Sequence, residues 1–260
     1  MSDIRAAFLL KQAKRIKRKT HKANPDLVLA EGKAIIEMAL AARVEVLALF
    51  VADESFEAQF GNLEIPIIKV SKRDFQELAS TVSPQGIVAL LIVPKYTLDD
   101  ISSSARTLLY LEEIRDPGNL GTIVRTADAF GVDAVLLSPG CVDLRNNKFI
   151  RSSAGSVFNL PIISDVQLND LDDIKSKFDA DLLVTSLTGN IVISDLDIPK
   201  SRCVIWAVGN EATGVSDLLV AMADQVVVIP MLGKAESLNA AVAAAVCLYV
   251  SAQRKSPSRA

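Results

Sequence analysis

The sequence predicts an α/β chain in which a small α/β domain precedes a larger one built on a mostly parallel sheet. Three observations point there. Near-continuous apolar runs such as "VEVLALFVA", "QGIVALLIV" and "CVIWAVG" alternate with segments of helical spacing, the pattern of strands covered on both faces. Aromatic residues make up 5% of a chain that is 50% hydrophobic, so the interior is aliphatic rather than that of a β-sandwich or a carbohydrate-binding module. Three glycine-marked loops, at 116–121, 209–214 and 230–239, each follow an apolar run.

The elements follow in order. Residues 1–22 hold eight Lys or Arg against one Asp. With a whole-chain charge of −3, that local +7 leaves −10 on the remainder. Such a basic arm can contact phosphate even on an acidic chain; a solvated helix face is the alternative. "AEGKAIIEMALAAR" (30–43) reads as a helix with Ile35, Met38, Ala39 and Ala42 on one face. Strands are predicted at 44–52, 65–70 and 85–93, with a helix over 71–81 whose N-cap is Ser71. The first domain is therefore 1–96, a basic arm plus a compact α/β unit. A polar stretch with three consecutive serines makes 97–106 a linker, and the second domain is 107–260. It begins with a strand, "TLLYLEEI", followed by the helix opened by "DPGNLGTIVRTADAFG" and the strand "VDAVLLS". A helical region around 143–157, a helix over 168–178 and strands at 181–187 and 203–209 come next. The short helix "SDLLVAMA", the strand "QVVVIP" and a long buried helix from about Ser237 complete the chain.

Several function classes fall away. "PGNLG" does not match G-x-G-x-x-G, and no acidic residue closes the next strand to hold a ribose, so a nicotinamide enzyme is discounted. No G-x-x-x-x-G-K-[ST] occurs. His21 is the sole histidine and lies in the basic arm, so a Ser-His-Asp apparatus in the sheet is excluded and no metal site is expected. Cys141, Cys203 and Cys247 form neither a disulfide framework nor a zinc pattern, which suits a reducing cytoplasm. The longest apolar run, 240–250, is too short to span a bilayer. In an open parallel sheet, ligands bind beyond the carboxyl ends of strands. There the glycine loops offer Asn119, Arg125, Glu211, Ser237 and Asn239. That inventory suits group transfer in which a cofactor supplies the hard chemistry.

"DPGNLGTIVRTADAFG", "AVGNEATGVS" and "VVIPMLGKAESLNAAVAAAV" resemble the three successive motifs of the SpoU/TrmH RNA ribose 2′-O-methyltransferases of the SPOUT superfamily. "RSSAGSVFNLPI" is similar to the segment between that family's first and second motifs. The resemblance covers about 107–252. Residues 26–93 look like the L30e-like substrate-binding domain often fused ahead of it. One departure is Ala212, where the family usually carries Gly.

The resemblance implies a trefoil-knotted domain, a homodimer that completes the site, and S-adenosylmethionine as methyl donor. It implies a donor pocket of Thr185, Ser186, Leu187, Gly209 and Asn210, together with Ile229, Met231, Leu238 and Asn239. It implies catalytic roles for Arg125, Asn119, Glu211, Ser237 and Asn239. RNA contacts are expected from Arg15, Lys17, Arg18 and Lys19 of the arm, on the charge reading above, and from Arg125 and Arg151. The fused first domain favours ribosomal over transfer RNA as acceptor; a non-catalytic RNA-binding assembly protein with the same fold is the competing expectation. Bland roles stand beside these. Gly209 alone reads as a tight turn, Ile229 and Leu238 as core, and Arg125 as a surface arginine. Glu211 reads as a carboxylate favoured by a helix N-terminus, and Ser237 or Asn239 as the cap of the last helix.

Overall fold

The computed structural model describes residues 3–18, 24, 26–52 and 55–255; Lys19 and His21 lie outside them. Up to residue 92 the chain runs α1 (Asp3–Lys17), β1 (Leu27–Glu31), α2 (Lys33–Ala41), β2 (Val46–Val51), α3 (Ser55–Phe60), β3 (Ile67–Lys69), α4 (Lys72–Leu78) and β4 (Ile87–Ile92). Next come β5 (Thr107–Leu111), α5 (Pro117–Ala129), β6 (Ala134–Leu137), α6 (Asn147–Ser152), β7 (Ile162–Ile163) and α7 (Asp170–Phe178). The remainder is β8 (Ala180–Thr185), β9 (Ile191–Val192), β10 (Cys203–Val208), α8 (Asp217–Met222), β11 (Gln225–Val228) and α9 (Ala240–Lys255). Among the described residues, no helix is long and apolar enough to cross a membrane.

The chain forms two compact units. The first joins residues up to Pro94 with Asp143–Asn159, and the second joins Lys95–Val142 with the chain from Leu160 onward. The segment 143–159 thus groups with the first unit, whereas sequence reading placed it in the second domain. Its seat is specific. Gly155 lies at φ 96°, and a Cβ there would meet Met38 Sδ at 2.6 Å, so only glycine fits beneath α2.

The first unit is a four-stranded sheet in the order β1-β4-β2-β3, antiparallel except for the β2–β3 pair. Two boundaries differ from the expected helix over 30–43. Ala30 and Glu31 close β1, whose register pairs Leu27 with Ile92 and Glu31 with Val88. Gly32, at φ 102°, then turns the chain into α2. The buried stripe of α2 is Ile35, Ile36 and Ala39. Ser71 caps α4 as predicted, accepting from Asp74 N at 3.1 Å. Over Asp3–Lys17 the basic arm is a docked helix. Leu9 and Ala13 of α1 are buried in the sheet core, with Ala6, Leu10 and Ile16 packed beside them. Lys14 pairs with Asp74 and Glu77 of α4, and Arg18 reaches Glu77 at 2.8 Å.

The second unit carries the predicted parallel sheet. Its order is β7-β6-β5-β10-β8-β11-β9, parallel throughout. β10 is buried along its whole length between β5 and β8, which explains its unbroken apolar run. Periodicity missed the two-residue edge strands β7 and β9, which are too short to show a pattern. α9 starts at Ala240 rather than Ser237. It packs on α5 and β10, and buried Trp206 Nε1 donates to Ser251 Oγ at 2.7 Å. The helix is buried on one face only, through Ala240, Ala241, Ala244, Cys247 and Leu248. None of the three cysteines is in a disulfide, and Cys203 and Cys247 are buried.

Candidate active site

Each glycine-marked loop leaves the carboxyl end of a strand: 116–121 after β5, 209–214 after β10 and 230–239 after β11. Since β5 and β10 are neighbours and β8 alone separates β10 from β11, the loops emerge side by side at one sheet edge.

The first loop is built to start a helix. Asp116 Oδ1 accepts from Gly118 N at 2.7 Å and Asn119 N at 2.9 Å, with Pro117 in the first turn. This satisfies amides that would otherwise lack partners. Asn119 then joins all three loops. Its Nδ2 donates to Glu211 Oε1, and its Oδ1 accepts from Asn239 Nδ2 at 3.1 Å. A carboxylate can only accept, so Glu211 fixes which end of the Asn119 amide faces Asn239. Asn239 in turn accepts from Ala241 N at 2.9 Å, which makes it the cap of α9 and leaves Ser237 outside that role. Glu211 does not serve the N-terminus of α8, which Ser216 caps.

The second loop is an Asx turn. Asn210 Oδ1 accepts from the amides of Ala212 and Thr213, each at 2.9 Å. Gly209 is required by a close approach, since a Cβ there would lie 2.1 Å from Gly214 O. The left-handed step falls at Gly214, φ 67°, and not at Ala212, so the alanine costs the loop nothing. Glu112, which sequence reading passed over, anchors the far end. This buried carboxylate accepts from Ser216 N and Ser216 Oγ, both at 2.7 Å. Its signal in the sequence was an acid closing the strand before the first motif. In Glu112→Gln one acceptor becomes a donor facing Ser216, and the expected loss is about 1–3 kcal/mol of stability. A urea unfolding midpoint identical to the parent's would contradict that role.

A cavity of about 460 Å³ opens where β8, β10 and β11 end. That volume lies within the range of small-molecule sites. Thr185, Ser186 and Leu187 line it from β8, and Gly209, Asn210 and Glu211 from the second loop. Ile229, Met231, Glu236, Ser237 and Leu238 line it from the third. Of the residues expected to hold the donor, Asn239 alone is outside this lining. Thr185 Oγ1 donates to Ala207 O at 3.0 Å, and Ser186 N to Val227 O at 2.9 Å, which fixes the first wall.

Among the described residues the lining includes the carboxylates Glu211 and Glu236, and no Lys, Arg or His. Walls that mix apolar side chains with hydroxyls and carry two acids suit a cationic small molecule. A sulfonium nucleoside such as S-adenosylmethionine fits this donor set: backbone groups and hydroxyls for the nucleoside, carboxylates for the positive end.

Arg125 is not in the cavity wall. It is exposed on α5, one turn beyond Thr122, and its guanidinium makes no hydrogen bond or ion pair with the described residues. Arg151 and the arm residues Arg15, Lys17 and Arg18 belong to the first unit.

Comparison with known proteins places these features. Residues 106–249 match the model of the SpoU rRNA Methylase family. Residues 9–89 match an MRM3-like substrate binding domain. The chain is 34% identical over 240 residues to the 23S rRNA (guanosine(2553)-2′-O)-methyltransferase RlmP of Bacillus subtilis, covering 92% of this chain and 94% of that one. The AdoMet-bound rRNA methyltransferase from Sinorhizobium meliloti superposes with a TM-score of 0.84 at 28% identity, over 96% of this chain and 95% of the other. The SpoU methyltransferase AviRb from Streptomyces viridochromogenes shares the fold, with a TM-score of 0.84 at 24% identity, over 95% and 97% of the two chains.

Proposed function

Because the chain belongs to the SpoU rRNA methylase family, we propose that it methylates a ribose 2′-hydroxyl of ribosomal RNA, 23S RNA being the favoured acceptor. S-adenosylmethionine, when bound, supplies the electrophilic methyl group. The observation that carries the reading is the cavity at the carboxyl ends of β8, β10 and β11, walled among the described residues by two carboxylates and no cation.

The chain's own residues then divide the work. Gly209, Asn210, Ile229 and Leu238 present backbone to the nucleoside, with Thr185, Ser186, Leu187 and Met231 closing the walls. Glu211, Asn119 and Asn239 hold the three loops in register through their hydrogen bonds. Ser237, exposed on the cavity rim, offers a hydroxyl to the acceptor. Arg125 pairs with an acceptor phosphate and stabilises the developing alkoxide. Arg15, Lys17, Arg18 and Arg151 contact RNA from the first unit, which also acts as the substrate-binding domain.

We read the active species as a homodimer. Leu187 is 64% exposed and Leu232 98%, both on loops of the cavity; Val242 and Tyr249 of α9 are 49% and 52% exposed. Exposed apolar side chains on the cavity loops and along α9 support a covering partner, and a second copy can bring an Arg125 to the acceptor beside the cavity.

One experiment tests the whole. Labelled S-adenosylmethionine is incubated with unmodified 23S RNA, with transfer RNA as a parallel acceptor, and light scattering reads the mass of the same sample. The expected result is label recovered as a 2′-O-methyl nucleotide from 23S RNA, by a species of two copies. Donor bound without transfer would favour an assembly protein, label only in transfer RNA would move the acceptor, and a single-copy mass would remove the shared site.

A further inference from the structure

Two of the basic side chains meet at one residue of the first unit. Lys17 Nζ, on α1, donates to Ser80 Oγ at 2.6 Å. Arg151 Nη1, on α6, reaches Ser80 O at 3.4 Å, and Asn147 Nδ2 reaches Ser80 Oγ at 3.4 Å. The loop beneath them is held by Glu31. One of its oxygens accepts from Ser80 N at 2.5 Å, the other from Thr81 Oγ1. That carboxylate has both oxygens engaged by the loop, and its single negative charge balances only one of the two cations. Burial holds the Lys17 ammonium below the usual lysine value; the Glu31 carboxylate opposes this, and the neighbouring guanidinium of Arg151 adds a smaller push in the same direction as burial. The described bonds use one of three donors on Lys17 and one of five on Arg151.

We propose that Ser80, Lys17 and Arg151 form a binding site for a single backbone phosphate of RNA. A phosphodiester brings one negative charge and two free oxygens, enough to engage a planar guanidinium and a compact ammonium together. The Ser80 hydroxyl and the Asn147 amide lie within the same reach and complete the donor set. Glu31 is a positioning residue, which holds the loop while leaving the two cations for the ligand. The site deepens the reading of RNA as acceptor and rests on it.

The test uses the full chain and a fluorescein-labelled oligouridylate, because phosphate contacts are independent of sequence. Lys17→Gln and Arg151→Gln are each expected to weaken binding roughly tenfold, the scale of a charge-assisted hydrogen bond. The double variant is expected to lose little more than either single one, because both side chains serve one phosphate. It should also flatten the dependence of log K on log salt by about 0.7, one single-strand contact. Lys17→Arg keeps the charge and is expected to keep most of the affinity. Losses that multiply in the double variant would indicate diffuse attraction and overturn the site. Parent-like affinity in both single variants would overturn it while leaving RNA as the acceptor. Calorimetry with inorganic phosphate covers the other source of this chemistry: phosphate binding lost in Arg151→Gln, with oligouridylate affinity unchanged, would reassign the site to a free anion. No oligouridylate binding by the parent chain would instead count against the RNA reading itself. Thermal unfolding of each variant guards against misfolding as the cause.

Discussion

Replacing Arg125 by alanine is expected to lower kcat by roughly a hundred- to a thousandfold, the cost of removing one donor aimed at developing charge. The affinity for S-adenosylmethionine should stay within about twofold of the parent, well under the tenfold that 1.4 kcal/mol represents. The split follows from position. Arg125 is exposed on α5 and outside the cavity lining, so its removal leaves the donor's walls intact. Arg125→Lys should recover only part of the rate, since an ammonium lacks the planar fork that grips a phosphate with two bonds. Guanidinium groups in general stay charged in proteins, which is why the role proposed here is charge stabilisation rather than proton removal. Single-turnover transfer with 23S RNA, alongside calorimetry with the donor, measures both quantities. Full activity in Arg125→Lys would show that bidentate pairing is unnecessary. A matched fall in donor affinity for Arg125→Ala would place the residue in the donor site instead.

Gly209→Ala is the second large effect. The added Cβ would sit 2.1 Å from Gly214 O and 2.5 Å from Val215 N, and backbone cannot swing aside as a side chain can. The loop must open, at about 1–3 kcal/mol for an overpacked site. Because the same loop walls the cavity, donor affinity should fall by more than roughly tenfold, about 1.4 kcal/mol. Gly214→Ala is the control. Nothing lies within 4 Å of a Cβ there, although φ is 67°, so the cost is conformational, about 1–2 kcal/mol, with donor binding less affected. Equal donor affinity in parent and Gly209→Ala would separate this loop from the ligand.

The sequence made most of the larger unit legible, because its strands are long, apolar and separated by glycine. Those are properties of single segments. Ser71 could likewise be read as a cap from its place ahead of a helical pattern. What stayed hidden depends on pairs. Nothing local announces that Asn119 binds Glu211 and Asn239, 92 and 120 residues away. Glu112 reads as one acid of two at the end of a strand until Ser216 is seen against it. β1 was missed, and its last two residues were read into the helix after it, because five residues are too few to separate a buried strand from a buried helix turn. The meeting of Lys17 and Arg151 at Ser80 needs the chain to return to the first unit after residue 142, which no periodicity records.

That return bears on how the protein can be cut. A gene truncated near residue 96 encodes the four-stranded sheet, but without α6, without the glycine that fits under Met38, and without two of the three side chains that reach Ser80. The first unit cannot be obtained whole from any uninterrupted stretch that omits β5, α5 and β6. Its recombinant form needs the later segment grafted back through a designed connection.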